Sequence, residues 1–301
     1  MTDIVFYNRN EIDVEKWNDS LKKAHNYNVY ADSFYLDVVS PGWSALVSED
    51  YKYLFPLPNK KKFGINYVIQ PVLSQQLGLF SENEITPDIL FQFINKIPKR
   101  YGFVKLFLNE GNVFDNINMP LQRNYTLQIP DNRDDIRNNY STNLKRNLKI
   151  ANAGEIKIVS DSNPNEVISL FKHNKQKELE NFNSSIYIAL QKLCKNTNPN
   201  WQCKTYKAVS DNKTVSGMTV IEYGCKSVFL FSGNSEAGKE IRALPYLIDW
   251  YLHNCDKKIK IFDFEGSNDD GLARFYSSFG ADKVDYAYYF RKSRLLFFVN
   301  H

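Results

Sequence analysis

Among the titratable side chains of one short stretch, KIKIFDFEGSNDDGLARFYSSFGA (Lys258 to Ala281), three stand where they could move a proton in a reaction: Asp263, Glu265 and Tyr276. Carboxylates are charged acceptors at neutral pH, and a phenol is a protonated donor there. Their setting can be read from the neighbours. Ile259, Ile261, Phe262 and Phe264, bounded by lysines and by Gly266-Ser267, predict a strand. Alternation then puts Asp263 and Glu265 on the same side as Ile259 and Ile261. Asn268 and Asp269 offer N-caps. Leu272, Phe275, Tyr276 and Phe279 fall on one helical face, and Gly280 suits a left-handed stop. Carboxylates at a strand's carboxyl end beside a helix start occupy the place where α/β folds hold ligands. They can equally cap the helix, and Tyr276 on its apolar face is either a proton donor or a core residue. Glu222, closing another strand, is a further carboxylate to weigh.

Other reactive types give less. His25, His173, His253 and His301 are scattered and adjoin no Ser or Asp motif. Cys194, Cys203, Cys225 and Cys255 show no C-x-x-C spacing and no His pairing, so neither a metal site nor a disulfide framework is expected. With 301 residues, two domains are expected. Hydrophobic residues at 43% and aromatics at 15% suffice for packed cores and exclude disorder. A net charge of +4 is too small for non-specific nucleic-acid binding, although a local basic patch can still hold an anion. The start has no basic segment followed by an apolar core, and the chain has no long apolar run, so a cytoplasmic protein without a membrane span is expected.

The elements that must position these residues come in a repeated order. Ser44–Ser48 and Tyr51–Leu57 predict a hairpin about Glu49-Asp50, and Asn59 to Lys62 a polar loop. A strand at Tyr67–Leu73, a helix from Ile85 to Tyr101, and strands at Val104–Leu108 and Tyr125–Ile129 come next. The second half predicts a strand at Ile156–Val159 and helices at Asn165–Leu179 and Ser185–Cys194. Strands at Cys203–Val209, Thr214–Glu222 and Ser227–Ser232 succeed them, then a helix through Leu244 to Cys255. After the stretch from Lys258 to Ala281, strands at Lys283–Phe290 and Leu295–Val299 close the chain. Val47-Ser48-Glu49-Asp50 and Val209-Ser210-Asp211-Asn212 sit at matching turns, so two copies of one α/β module are expected. Asp134 to Gly154 predicts a polar helix between them.

Tyr276-Ser277-Ser278-Phe279-Gly280-Ala281 resembles the Y-x-x-[LF]-G-[FA] ending of the fourth helix in GNAT-type acyltransferases, with Asp269 where those chains often carry Asn. FDFEGS followed by FYSSFGA is more similar to the FemAB-like branch, which has two GNAT-like halves. The resemblance implies an α/β fold of two tandem GNAT-like domains, each a mostly antiparallel mixed sheet flanked by helices. Residues 1–133 would form a degenerate domain that binds the acceptor, and 134–301 the acyltransferase domain. It further implies that backbone N–H groups of Ser227–Ser232, splayed from Ile259–Phe264, receive the acyl carbonyl, and that Tyr276 protonates the leaving group. Glu265 or Asp263 would take the proton of the amine. Gly238, Lys239 and Arg242 stand in place of the coenzyme A loop, [QR]-x-x-G-x-[GA], but with an incomplete pattern and two glutamates. That departure fits members of the branch that use aminoacyl-tRNA. Lys145, Arg146 and Lys149 resemble the basic segment opening the second half; they either hold a phosphate or form a solvated helix face. Gln75 and Gln76, near Gln70 and Gly78, either line an acceptor cleft or satisfy backbone groups of a loop.

The function expected is transfer of an acyl group from acyl-CoA (acetyl-CoA, for instance) or aminoacyl-tRNA to a small or peptide-like amine. The alternative is a binding module that keeps the fold without a working donor site. A nucleic-acid-binding reading finds aromatics in plenty but no basic stripe interleaved with them along the chain.

Overall fold

A computed structural model describes residues 3–62, 64–175, 184–266 and 268–293. The expected strand at 295–299 and the last residues of the expected helix at 165–179 lie outside these. In chain order the first elements are β1 (Ile4–Asn8), α1 (Val14–Lys23), α2 (Ser33–Val39), β2 (Ser44–Ser48), β3 (Tyr53–Leu57), β4 (Asn59–Lys62), β5 (Ile65–Ile69), β6 (Phe80–Ser81), α3 (Pro87–Lys96), β7 (Tyr101–Phe107) and β8 (Leu121–Gln128). Next come α4 (Thr142–Asn152), β9 (Lys157–Asp161), α5 (Asn165–Lys175), α6 (Ser185–Cys194), β10 (Trp201–Ser210), β11 (Lys213–Tyr223) and β12 (Lys226–Asn234). The last are α7 (Glu236–Glu240), α8 (Ala243–Asn254), β13 (Ile261–Asp263), α9 (Asp270–Ser277) and β14 (Asp282–Lys292).

Contacts divide the chain into two units, residues 1–122 with 285–301, and residues 123–284. The boundary expected at 133/134 is therefore displaced, and the unit order is not simply sequential. The cause is an exchange of strands. β8 comes after β7 in sequence, yet it pairs antiparallel with β13 of the second unit. β14 comes after α9, yet from Tyr288 it pairs with β7 of the first.

In the first unit, β1, β2, β3 and β6 form an antiparallel sheet. β4 pairs antiparallel with β5, β5 parallel with β7, and β7 antiparallel with β14. α3 begins at Thr86, whose side chain accepts from the Ile89 N–H, with Pro87 in the first turn. Its Leu90, Phe93 and Ile94 pack with Phe55, Val68, Val104 and Leu106 in one core. Asn59 to Lys62 is strand β4 and not the loop the composition suggested. An edge strand tolerates lysines, because a charged edge blocks pairing with other chains.

In the second unit the strand order is β8-β13-β12-β11-β10-β9, antiparallel except for β12 beside β13. The core joins α4 (Leu144, Leu148), α8 (Leu247, Ile248, Tyr251) and α9 (Ala273, Tyr276) to Phe262 and Phe264. α9 turns most of the expected face inward, with Tyr276 and Phe279 buried and Phe275 packed against the core, but Leu272 is 46% exposed and Ala273 is buried beside them. The polar helix expected over 134–154 is broken. A 3₁₀ segment, Arg133–Asn139, ends at Tyr140, and α4 restarts with the Ser141 hydroxyl accepting from the Leu144 N–H. Among the described residues no helix is long and apolar enough to cross a membrane.

Arg137 of the 3₁₀ segment grips Asp249 of α8 through Nε (3.1 Å) and Nη2 (2.5 Å). Asp249 is buried, while half of the Arg137 side chain meets solvent. In the Asp249→Ala variant water can take up the stranded guanidinium, so the loss stays below that of a fully buried pair. We expect about 1.5–3 kcal/mol, read as a lower urea midpoint at unchanged slope; an unaltered midpoint would show the pair to be energetically idle.

Candidate functional site

The parallel pairing of β12 with β13 covers Lys226 to Val228 against Ile261 to Asp263 and then ceases. β12 runs on to Asn234 along β11, with a bulge: Val220 faces Phe229, Thr219 faces Phe231, and Leu230 is the extra residue. A bulge bends and twists its strand and re-aims the side chains on either side. Phe229 accordingly packs towards Phe262 and Phe264 (centroids 6.2 and 6.4 Å), whereas Phe231 meets Phe171 of α5 at 4.8 Å.

β13 leaves β12 because it keeps to β8. Thr126 pairs with Asp263, and the Phe264 N–H still donates to the Tyr125 carbonyl at 2.9 Å. Glu265 and Gly266 then both take positive φ, 56° and 35°. A Cβ on Gly266 would lie 2.2 Å from the Arg123 carbonyl oxygen and 2.3 Å from the Asn124 Cα, so only glycine allows this approach to β8. Arg123 fastens the start of α9 and the residues before it. Its N–H donates to Asn268 Oδ1 (3.2 Å), and Nη2 donates to the Asn268 carbonyl (2.5 Å) and to Asp270 (3.0 Å). Among the described residues, the β13-facing edge of β12 beyond Val228 has no strand partner. An unpaired row of amides is what a developing oxyanion requires.

α9 brings Tyr276 to this bend. Asp269 caps the helix by accepting from the Leu272 N–H at 2.8 Å. The Tyr276 ring stacks on Phe264 at 4.9 Å and 30°, and Tyr125 lies 6.1 Å away. The residue is 7% exposed. Burial first, then the charges of Glu265 and Asp269, push its phenol up to about 12. It is therefore a protonated donor at neutral pH and no base. Glu265 is half-buried in the bend. Asp263 accepts the Glu265 N–H at 2.8 Å and so shapes the turn. The expectation that alternation carries Asp263 and Glu265 to one side does not hold, because β13 ends at Asp263 and Glu265 has left-handed backbone. A non-glycine residue held there is mildly strained, a condition that clusters at functional sites.

The remaining expected site residues lie elsewhere or are otherwise engaged. Gly238 is buried, its N–H donates to Ser235 Oγ at 3.0 Å, and a Cβ there would meet the Val215 carbonyl oxygen at 2.3 Å. Ser235 thus caps α7 by accepting from this amide, and the expected anion cradle loses that donor. Lys239 pairs with Glu236 (2.6 Å), and Arg242, at φ 59°, donates to the Lys239 carbonyl (2.7 Å). On α4, Lys145 and Arg146 lie on the exposed face and contact the Asn138 carbonyl and Asn143. Gln76, in the first unit, is buried. It accepts the Glu110 N–H and donates to Gln75, which is the loop-supporting alternative. Glu222 is excluded from the bend. It is opposite Ser227, where β12 and β13 are still paired, and it is held by Lys204 (2.7 Å) and by the Tyr251 hydroxyl (3.0 Å). Sequence reading missed Arg123, which is separated from its partners by most of the unit. The one local signal for the bend is Gly266 directly after Glu265.

No protein-family model matches the sequence, and no curated protein does. Solved structures do match in fold. FemX is similar with a TM-score of 0.67 at 12% identity, over 98% of either chain. L-PGS from Bacillus licheniformis is similar at 0.56 and 13%, over 93% of this chain and 92% of that one. A tandem GNAT protein from the clavulanic acid biosynthesis pathway gives 0.55 and 10%, over 96% and 98%. At these identities the likeness shows the fold, and the fold is the tandem GNAT-like one that the sequence resemblance implied.

Gly266→Ala sets a Cβ against the β8 backbone. We expect it to lower stability by about 1–3 kcal/mol and to raise amide hydrogen exchange at Phe264 and Leu272; wild-type exchange at both would show that the close approach does not hold the bend.

Proposed function

We propose that the second unit transfers an acyl group from an ester or thioester to an amine. The observation that carries this is the unpaired edge of β12 opening beside Tyr276. In this reading the N–H groups of β12 just beyond Val228 that point away from β11 receive the acyl oxygen, and Glu265 takes the proton that the amine loses on attack. Tyr276 gives its proton to the departing oxygen or sulfur and regains one from solvent afterwards. A carboxylate beside the phenol keeps it protonated until the leaving group needs it.

Two features favour an ester donor, aminoacyl-tRNA, over acetyl-CoA or another acyl-CoA. A phenol at about 12 matches an alkoxide leaving group; a thiolate, whose conjugate acid ionises near about 8.5, needs no such acid. The Gly238 amide is engaged by Ser235 and is not offered to a pyrophosphate. The acceptor class is a small or peptide-like amine. Lys145 and Arg146, on the exposed face of α4, would meet phosphates of the donor or acceptor. The engaged Gly238 amide is also what favours the second reading, a binding module without turnover; calorimetric titration with acetyl-CoA and with aminoacyl-tRNA separates the two, since turnover needs heat of binding from at least one.

Tyr276→Phe should lower the transfer rate about 10²–10⁴-fold, and Glu265→Gln by a similar factor, with both variants folded as wild type by circular dichroism. Because the phenol stays protonated up to about 12, the wild-type rate should show no alkaline decline below about pH 10. Unchanged rates in both variants would remove these residues from the reaction.

A further inference from the structure

The sheet of β4, β5, β7 and β14 in the first unit has two unlike faces. Val68, Val104, Leu106 and Ala287 are buried against α3. Successive side chains of a strand point to opposite sides, so the alternate positions form the other face, and their character is different. Pairing sets Lys60 opposite Tyr67, Tyr67 beside Phe103, Phe290 opposite Lys105, and Tyr288 opposite Phe107. Lys105 Nζ lies 5.5 Å from the Phe107 ring centroid and 5.7 Å from that of Tyr288. Phe103 and Phe290 meet edge to face at 5.4 Å. Phe290 is 50% exposed, Lys60 is exposed, and Tyr67, Phe103, Lys105, Phe107 and Tyr288 are half-buried. None of the positions at which these four strands pair carries a carboxylate. Along β7 they alternate locally as Phe103, Lys105 and Phe107, and pairing across the strands extends the alternation, because residues far apart in sequence become neighbours about 4.8 Å apart.

We propose that this face binds single-stranded RNA. Unstacked bases offer π-faces to aromatic rings, and lysines between the rings answer the phosphates that join the bases. The repetition of ring and cation over neighbouring strands suits a strand of nucleotides, since one nucleotide needs one of each. A duplex keeps its π-faces inside its own stack and cannot use the rings. This goes beyond the proposed transfer: it uses neither Tyr276 nor the edge of β12, and binding is measured without any acyl donor.

The test is fluorescence anisotropy of the full chain with a labelled, unstructured oligoribonucleotide of about 12 nucleotides. The wild type should bind it, and bind a duplex of the same sequence more weakly. Phe290→Ala, at a half-exposed position and with its fold checked by circular dichroism, should weaken binding about 5- to 100-fold. Lys105→Gln should reduce the slope of log K against log salt by about 0.7. The proposal is overturned by absence of binding, by equal affinity in both variants, or by uridine monophosphate competing as well as the strand at equal nucleotide concentration. That last result would make the face a mononucleotide site.

Discussion

A strand cannot follow two diverging neighbours, and β13 follows β8. Its bonds to Thr126 and Tyr125 continue to Phe264, after its pairing with β12 has ended. The left-handed pair Glu265-Gly266 and the grip of Arg123 on Asn268 and Asp270 complete the turn towards β8. The gap beside β12, the placement of α9 and the stacking of Tyr276 on Phe264 all descend from that one preference. The bulge at Leu230 adds to it by twisting β12 away.

The first unit shows what happens without such a bend. There β5 and β7 are the parallel pair on either side of α3, as β12 and β13 are on either side of α8. β5 pairs from Asn66 to Ile69, and contact continues as Gln70 and Leu77 donate to the carbonyls of Lys105 and Phe107. Among the described residues no edge opens there comparable with that of β12. The two copies of the module thus differ in whether the parallel pair stays together beyond its first residues.

Much of the architecture was legible because it rests on local chemistry. β2 was delimited by its apolar run and α9 by the Asp269 cap and Gly280. Proton-bearing side chains in DFEGS…FYSSFG were legible for the same reason, and the structure does bring Tyr276 and Glu265 together. What local pattern cannot report is partnership at a distance. The exchange of β8 and β14, the Arg123 clasp and the interleaving of Lys105 with Phe290 and Tyr288 depend on residues widely separated in sequence. Packing also overrode periodicity in α9, where Leu272 faces solvent and Ala273 the core. The Gly238 loop misled because a glycine among cations suggests an anion site, whereas its close approach to Val215 explains the glycine sufficiently.

The central claim is that among the N–H groups of Phe229, Leu230 and Phe231 at least one points away from β11, is unpaired in the free protein and donates to the donor's carbonyl oxygen. Nitrogen-15 labelling of phenylalanine and leucine makes them visible by nuclear magnetic resonance, and 3′-alanylamino-3′-deoxyadenosine, an amide in place of the reactive ester, serves as the probe. The account predicts fast hydrogen exchange at one or more of these amides in the free protein relative to Val228, then slowed exchange and shifted resonances there once the probe is bound. Strong protection of all three amides in the free protein, or bound probe that leaves the three resonances where they were, would contradict it.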